Sequence, residues 1–430
     1  MFELPARMTQ LQAQIRAGDV SAQEALLAQV KRGQILNTQY PCVVEELALT
    51  PSQEGPLAGI ALAHKDIFQT HDRLPGCGVG LGQKKSGLDS AAAVSALEKA
   101  GASQWAALVM APYACGATSQ NAHFARCINP TDPEAAVGGS SSGSAVAVAA
   151  GMTYAALGTD TAGSVRIPAA TCGLIGLKTT HGAVGSQGCA PLAPSLDSVG
   201  ILSRYAQDAR EIWAALCPHL PKILPAPEPK PLANCQLWLP QEGLAPLVAQ
   251  AIRTWVSQLD VNVLDIQMDE EFEVLNKHAQ RVLFYETAQT HLADLKTGSA
   301  EPSVKAIGLL GMGIPQTWYE ESLQSRPFLL QDFVNKHFSA ADFLILPSLA
   351  GQVPDWQSVE IGHPSFDRKA LFDMHRFMAF VNYLGLPSLN LPIGRDASGR
   401  AICVQVVARP FAEHQLLHFA EQSPFSFWNL

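Results

Sequence analysis

The 430-residue sequence predicts an α/β fold in a single large domain (1–430), with a central mixed β-sheet flanked by helices on both faces. Three observations predict it. Strand-like apolar runs alternate with helix-like segments through the first half, the pattern of a parallel or mixed sheet between helical layers. Strand-like runs return at the end of the chain, so both halves are expected to share one sheet. Hydrophobic residues make up 47% of the chain against 16% charged, enough to fill the large core that such a sheet requires.

The elements follow in order. Ser21 and Glu24 form an S-x-x-E capping box ahead of "ALLAQVKRG", predicting a helix that ends at Gly33. "PLAGIALAHKDIF" (56–68) reads as a short strand running into a polar turn. "DSAAAVSALEKAGA" (89–102) reads as an amphipathic helix closed by glycine, and "WAALVMA" (105–111) as a strand. Residues 113–143 form a long irregular stretch, and such loops in compact proteins are usually functional. A small-residue helix is expected at roughly 144–157. The Pro-rich segment "PHLPKILPAPEPKPL" (218–232) marks the one internal boundary, between a catalytic core part (1–217) and a helical pocket part (233–340). Within the latter, helices are expected at roughly 244–258 and 273–338. Residues 341–430 then return to the sheet through "ADFLILP" and "AICVQVVARP".

A net charge of −9 and the lack of any basic run argue against a nucleic-acid surface or an anionic membrane. The N-terminal residues lack the charged-then-apolar pattern of a signal peptide, and no run approaches a membrane span. Nine scattered cysteines with no C-x-x-C point to buried thiols in a reducing cytoplasm, without structural disulfides. No H-E-x-x-H occurs, "HQLLH" (414–418) reads as a helix face, and "GCGVGLG" (76–82) fails G-x-G-x-x-G, so neither metal nor cofactor is expected.

Three stretches carry chemistry. In "GTDTAGSVRIPA" (158–169), the backbone can curl so that the N–H groups of Thr161, Ala162, Gly163 and Ser164 converge on one point, as an oxyanion requires. By itself the segment reads equally well as a tight turn. "GGSSSGSA" (138–145) matches G-x-S-x-G with Ser141 central, but the strand that a nucleophile elbow needs upstream is missing. In "AHKDIF" (63–68), Lys65 becomes a base only if burial strips its ammonium of solvation, and an ion pair with Asp66 would work against that.

Together, in this order, the three stretches resemble the amidase signature family of Ser–Ser–Lys amidohydrolases. The resemblance extends through "CGLIGLKTTHGAVG", "PLAPSLDSVGILSR" and "VQVVARPFAEHQLL", densely over roughly 15–215 and loosely over 340–425. It implies the amidase signature fold. It also implies Ser164 as nucleophile, Ser140 as bridging serine after a cis Gly139–Ser140 peptide, and Lys65 as start of the proton relay, with Ser140 bonded to both partners. The N–H groups of Thr161, Ala162, Gly163 and Ser164 would form the oxyanion hole. Ser141, Asp160 and Arg166 would be structural supports, with Arg166 paired to a carboxylate. Residues 113–121, Cys115 and Gly116 among them, would border the acyl group. In that region "MAPYACGATSQ" departs from the family's G-K-[TA]-N, which leaves substrate preference open.

The expected activity is hydrolysis of the C–N bond in a small carboxamide, carbamate or urea-like substrate. Two branches compete. One is the biuret and carboxybiuret hydrolases, some with a small helper protein, which "TWYEESLQSRPFLLQDF" (317–333) faintly resembles. The other is the glutaminase (A) subunit of a tRNA-dependent amidotransferase, although its "SRFDGVRYG"-like stretch is absent between 240 and 340. A homodimer and a helper subunit both stay open, as does a catalytically dead scaffold protein. Arg281, Arg376 and Asn382 are candidates to face the substrate, against a plain reading as helix packing.

Overall fold

The computed structural model describes residues 3–218 and 234–428, so most of the Pro-rich boundary lies outside the described residues. In chain order the strands are β1 Val43–Glu46, β2 Ala61–Lys65, β3 Arg73–Leu74, β4 Gln83–Lys84, β5 Ser103–Leu108, β6 Ala155–Asp160, β7 Ile175–Lys178 and β8 Ser198–Ser203. They continue as β9 Asn234–Trp238, β10 Asn262–Ile266, β11 Phe343–Pro347, β12 Ser388–Arg395 and β13 Ala401–Ala408. Eleven of them form one sheet in the order β1-β5-β2-β6-β8-β7-β12-β13-β11-β9-β10, and β3 pairs with β4 separately. β2 lies parallel to β5 and β6, whereas β6, β8, β7, β12 and β13 alternate in direction, so the sheet is mixed.

Strands β2, β5, β6 and β8 are buried at every position, which is why they read as continuous apolar runs rather than alternating ones. Successive side chains still enter opposite cores. Leu62, Leu157 and Ile201 pack with helices Ala92–Lys99, Ala206–Leu216 and Glu413–Glu421 on one face. Ala63, Ala156 and Leu202 pack with helices Ala22–Asn37 and Ser142–Ala149 on the other.

The capping box at Ser21 and Glu24 forms as expected, yet its helix continues past Gly33 to Asn37. Gly33 is a packing residue rather than a terminator, because a Cβ there would lie 2.6 Å from the Trp105 ring. The helix expected at 144–157 spans only Ser142–Ala149. Gly151, at φ +81°, ends that path, and 155–160 joins the sheet between β2 and β8. The strand expected at 105–111 is set two to three residues earlier, so that 109–111 leaves the sheet toward the irregular stretch. Beyond the boundary, helices Pro246–Val256, Asp269–Thr290, Leu292–Thr297, Pro302–Met312 and Gln316–Phe338 match expectation. The same region also supplies β9 and β10, which extend the sheet at one end; these two short strands had no motif to announce them.

Candidate active site

Lys65 closes β2 and is wholly buried. Its Nζ donates to Ser140 Oγ at 2.7 Å and to Thr159 Oγ1, on β6, at 2.9 Å. The neighbouring carboxylate does not oppose this, because Asp66 turns to Arg73 (2.8 Å) and to the Gly76 N–H (3.1 Å). Burial pulls the Lys65 ammonium down to about 7, against the opposing charges of Asp197 and Asp160.

Ser140 follows a cis Gly139–Ser140 peptide. A Cβ on Gly139 would lie 2.1 Å from the Thr118 carbonyl oxygen and 3.0 Å from that of Gly116, so the 116–118 loop packs directly on this peptide. Ser140 is held from behind by the Ala111 N–H, which donates to its carbonyl at 3.1 Å. The Ser141 N–H donates to the Ser164 carbonyl at 3.1 Å and its hydroxyl donates to the Thr159 carbonyl at 3.3 Å, which joins the two serine segments.

Ser164 lies between β6 and the short helix Arg166–Thr171. Behind it, Asp160 accepts from the Gly163 N–H (2.8 Å), the Val165 N–H (3.2 Å) and the Arg166 guanidinium (2.9 and 3.0 Å). Asp160 is thus the carboxylate expected to pair with Arg166, and neither side chain is exposed. Burial pushes the Asp160 carboxyl up, but Arg166, Lys178 and Asn382 more than offset this and hold it well below the usual range. Arg166 also donates to the side chains of Gln405 and Asn382 (2.6 Å to the latter) and to the Met378 carbonyl (3.2 Å).

The structure departs from expectation at Ser164, Gly163 and Asn382, and also at the pocket candidates described below. Among the described residues, Ser164 Oγ makes no hydrogen bond to Ser140; the backbone link through Ser141 sets the spacing, and the unbranched side chain has other staggered rotamers to occupy. The Gly163 N–H is already given to Asp160, which leaves those of Thr161, Ala162 and Ser164 as donors for an oxyanion. Asn382 is wholly buried within the Asp160–Arg166 network, donating to Asp160, and so braces the loop rather than facing a ligand.

Cys115 is buried, with its thiol donating to the Ser303 carbonyl at 3.2 Å and pushed by burial up to about 12; Ala114 beside it, not Cys115, lines the adjoining cavity. Arg281 pairs with Glu321 (3.2 Å) and stacks on Trp318, and Arg376 lies over Phe377. The cavity is walled by apolar Ile67, Ala114 and Pro194, with Thr159, Thr161 and Asp197 as its polar side. Thr159, Asp197 and Gln405 have no role assigned by the motifs of the sequence. Gln405 had a readable signal: it is the one strongly polar residue inside the apolar run "AICVQVVA".

Among the described residues, no group of three or more His, Cys, Asp or Glu side chains is placed to hold a metal ion, and no helix is long and apolar enough to cross a membrane.

The amidase family model matches residues 44–241 and 239–417. The glutamyl-tRNA(Gln) amidotransferase A subunit of Chromohalobacter salexigens is 30% identical, covering 96% of this chain and 95% of its own. Its namesake in Geobacter sp. is 28% identical over 95% and 94%. A crystal structure of an amidase superposes with a TM-score of 0.83 at 26% identity, covering 96% of this chain and 98% of its own. The 6-aminohexanoate cyclic dimer hydrolase shares the fold, with a TM-score of 0.84 at 22% identity over 98% and 97% of the two chains. The chain belongs to the amidase family and is an enzyme acting on the carbon–nitrogen bonds of amides.

Proposed function

We propose that this protein hydrolyses a small carboxamide, carbamate or urea-like substrate through an acyl-enzyme on Ser164. The observation that carries the reading is the buried Lys65 amine, 2.7 Å from Ser140 Oγ on the segment tied by backbone to Ser164. Lys65, with its pKa drawn down to about 7, is substantially neutral at neutral pH and accepts a proton from Ser140. Ser140 in turn accepts the proton of Ser164 Oγ as that oxygen bonds to the carbonyl carbon. The N–H groups of Thr161, Ala162 and Ser164 face the oxyanion while Asp160 keeps the Gly163 N–H and fixes the loop. The tetrahedral adduct collapses by breaking the C–N bond, the leaving nitrogen takes the relayed proton, and water releases the acyl group by the same route. Ser141, Asp160 and Arg166 act as supports, and Gly116 borders the acyl side. The whole chain, on this reading, is one catalytic unit in the cytoplasm, and its nine unpaired cysteines are in keeping with a reducing compartment.

A second reading is a glutaminase subunit of a tRNA-dependent amidotransferase, favoured by the names and near-complete coverage of the curated relatives. Amine or ammonia release from a panel of aliphatic, aryl, carbamate and ureido amides, with L-glutamine included, separates the two. Turnover of panel amides by the isolated chain, lost in Ser164→Ala, supports the hydrolase. Turnover of glutamine alone, and only with partner subunits added, replaces it with the second reading.

A further inference from the structure

The cavity beside Lys65 has one acidic wall residue, Asp197, which no step above uses. Its carboxylate is partly buried and has a defined set of donors. Thr161 Oγ1 donates to it at 2.6 Å, the Leu192 N–H at 2.9 Å and the Ala193 N–H at 3.2 Å. The turn it closes is clamped from the helical part. Glu286 accepts from the Ser195 N–H at 2.9 Å, Tyr319 donates to Glu286 at 2.8 Å, and Arg326 donates to the Ser195 carbonyl at 2.8 Å. The 192–197 turn is therefore the junction between helices Asp269–Thr290 and Gln316–Phe338, through Ser195, and the first residue of the loop leading to Ser164, through Asp197.

We infer that Asp197 is a positioning residue for the reaction: it fixes Thr161 at the start of the oxyanion loop and directs a negative charge toward Lys65. This rests on the roles given to Lys65 and Ser164 above. The groups facing Lys65 are Asp197, Asp160, Cys189 and Cys77. Those facing Asp197 are Thr161, Lys65, Cys189 and the His181 ring, whose Nδ1 meets the Asp197 carbonyl at 3.1 Å. His181 faces Arg326 and Lys178 in turn, and burial draws it down to about 4, so it is neutral at working pH. Asp197, pushed up by burial to about 6 and so largely ionised at and above neutral pH, is the strongest opposing charge on Lys65 and raises the proton affinity of the amine that burial lowers.

The test compares wild type, Asp197→Asn and Thr161→Val, each checked for folding by thermal unfolding. The rate of Ser164 labelling by a fluorophosphonate is followed from pH 5 to 9. Asp197→Asn removes the charge and is expected to move the acidic limb to lower pH, with a plateau loss of up to about 10²-fold as the loop loosens. Thr161→Val keeps the carboxyl group but removes its shortest donor, so its plateau falls while its limb moves less than that of Asp197→Asn. An unmoved limb in Asp197→Asn, or wild-type plateaus in both variants, overturns the inference. Titration of the lysine 13Cε signals, with Lys65 assigned from Lys65→Met, reads the same shift without any probe. An unlabelled wild type would sink the nucleophile reading, and that titration would still decide on Asp197. If Asp197→Asn does not fold, Asp197→Glu replaces it: a retained limb with a lowered plateau supports the inference, and a wild-type plateau overturns it.

Discussion

Acidification is the sharpest perturbation of the Lys65–Ser140–Ser164 arrangement. An ordinary lysine, with a pKa near 10.4, is neutral in only about 0.04% of molecules at pH 7. Burial in this site brings Lys65 to about 7, so half of the molecules carry the free amine, a gain on the order of 10³-fold in competent base. The sign follows: the neutral form is the base, so activity is full above pH 7 and falls about tenfold per unit below it. At pH 5.5 the rate should be roughly thirtyfold under the plateau. The assay is kcat/KM for amide hydrolysis, or the Ser164 labelling rate, from pH 5.5 to 8.5. Lys65→Met should drop the plateau by about 10²–10⁴-fold and erase the limb near 7. A wild-type profile flat across this range refutes the reasoning, and so does a limb near 7 that survives in Lys65→Met.

Two further outcomes test the supports of the loop. Asp160→Asn strands the fully buried Arg166 without a counter-charge, and urea unfolding should show a loss of about 3–5 kcal/mol; a loss under about 1 kcal/mol would mean the network is dispensable. Gly163→Ala should abolish labelling at Ser164, because the residue sits at φ +112° and a Cβ would lie 2.6 Å from Met378 Cγ. Trimming the obstacle in Gly163→Ala/Met378→Ala frees the space but not the backbone angle, so full recovery in the double variant would contradict the role given to that angle.

The groups proposed to react were legible as candidates in the sequence because each sits in a short stretch whose composition is hard to explain otherwise. Lys65 ends an apolar strand, and Ser140 and Ser164 stand among glycines. The braces were not legible as such. Asn382 meets Arg166 across 216 positions and Gln405 across 239, and no local period encodes such a pairing. Asn382 therefore passed for a pocket residue among aromatics. The overlong helix at 144–157 failed for a related reason: "SAVAVAAGMTYAALG" is rich in small apolar residues in both halves, and only the neighbours of β6 decide that its second half pairs instead of coiling. Asp66 shows the reverse. Its adjacency to Lys65 suggested an ion pair, whereas Arg73, seven positions on, draws it away.

The interleaving of the sheet has a consequence for how the enzyme comes into being. Ser164 and its loop are synthesised early, but Arg166 finds Asn382 and Gln405 only when the last helices and strands of the chain are made. β7, the strand next to the loop helix, likewise waits for β12 as its outer partner. On the ribosome, where the N-terminal portion emerges first, the nucleophile-bearing segment is present for most of translation without the contacts that shape it. The bracing of Arg166 behind Ser164 is therefore completed only by residues made near the end of the chain.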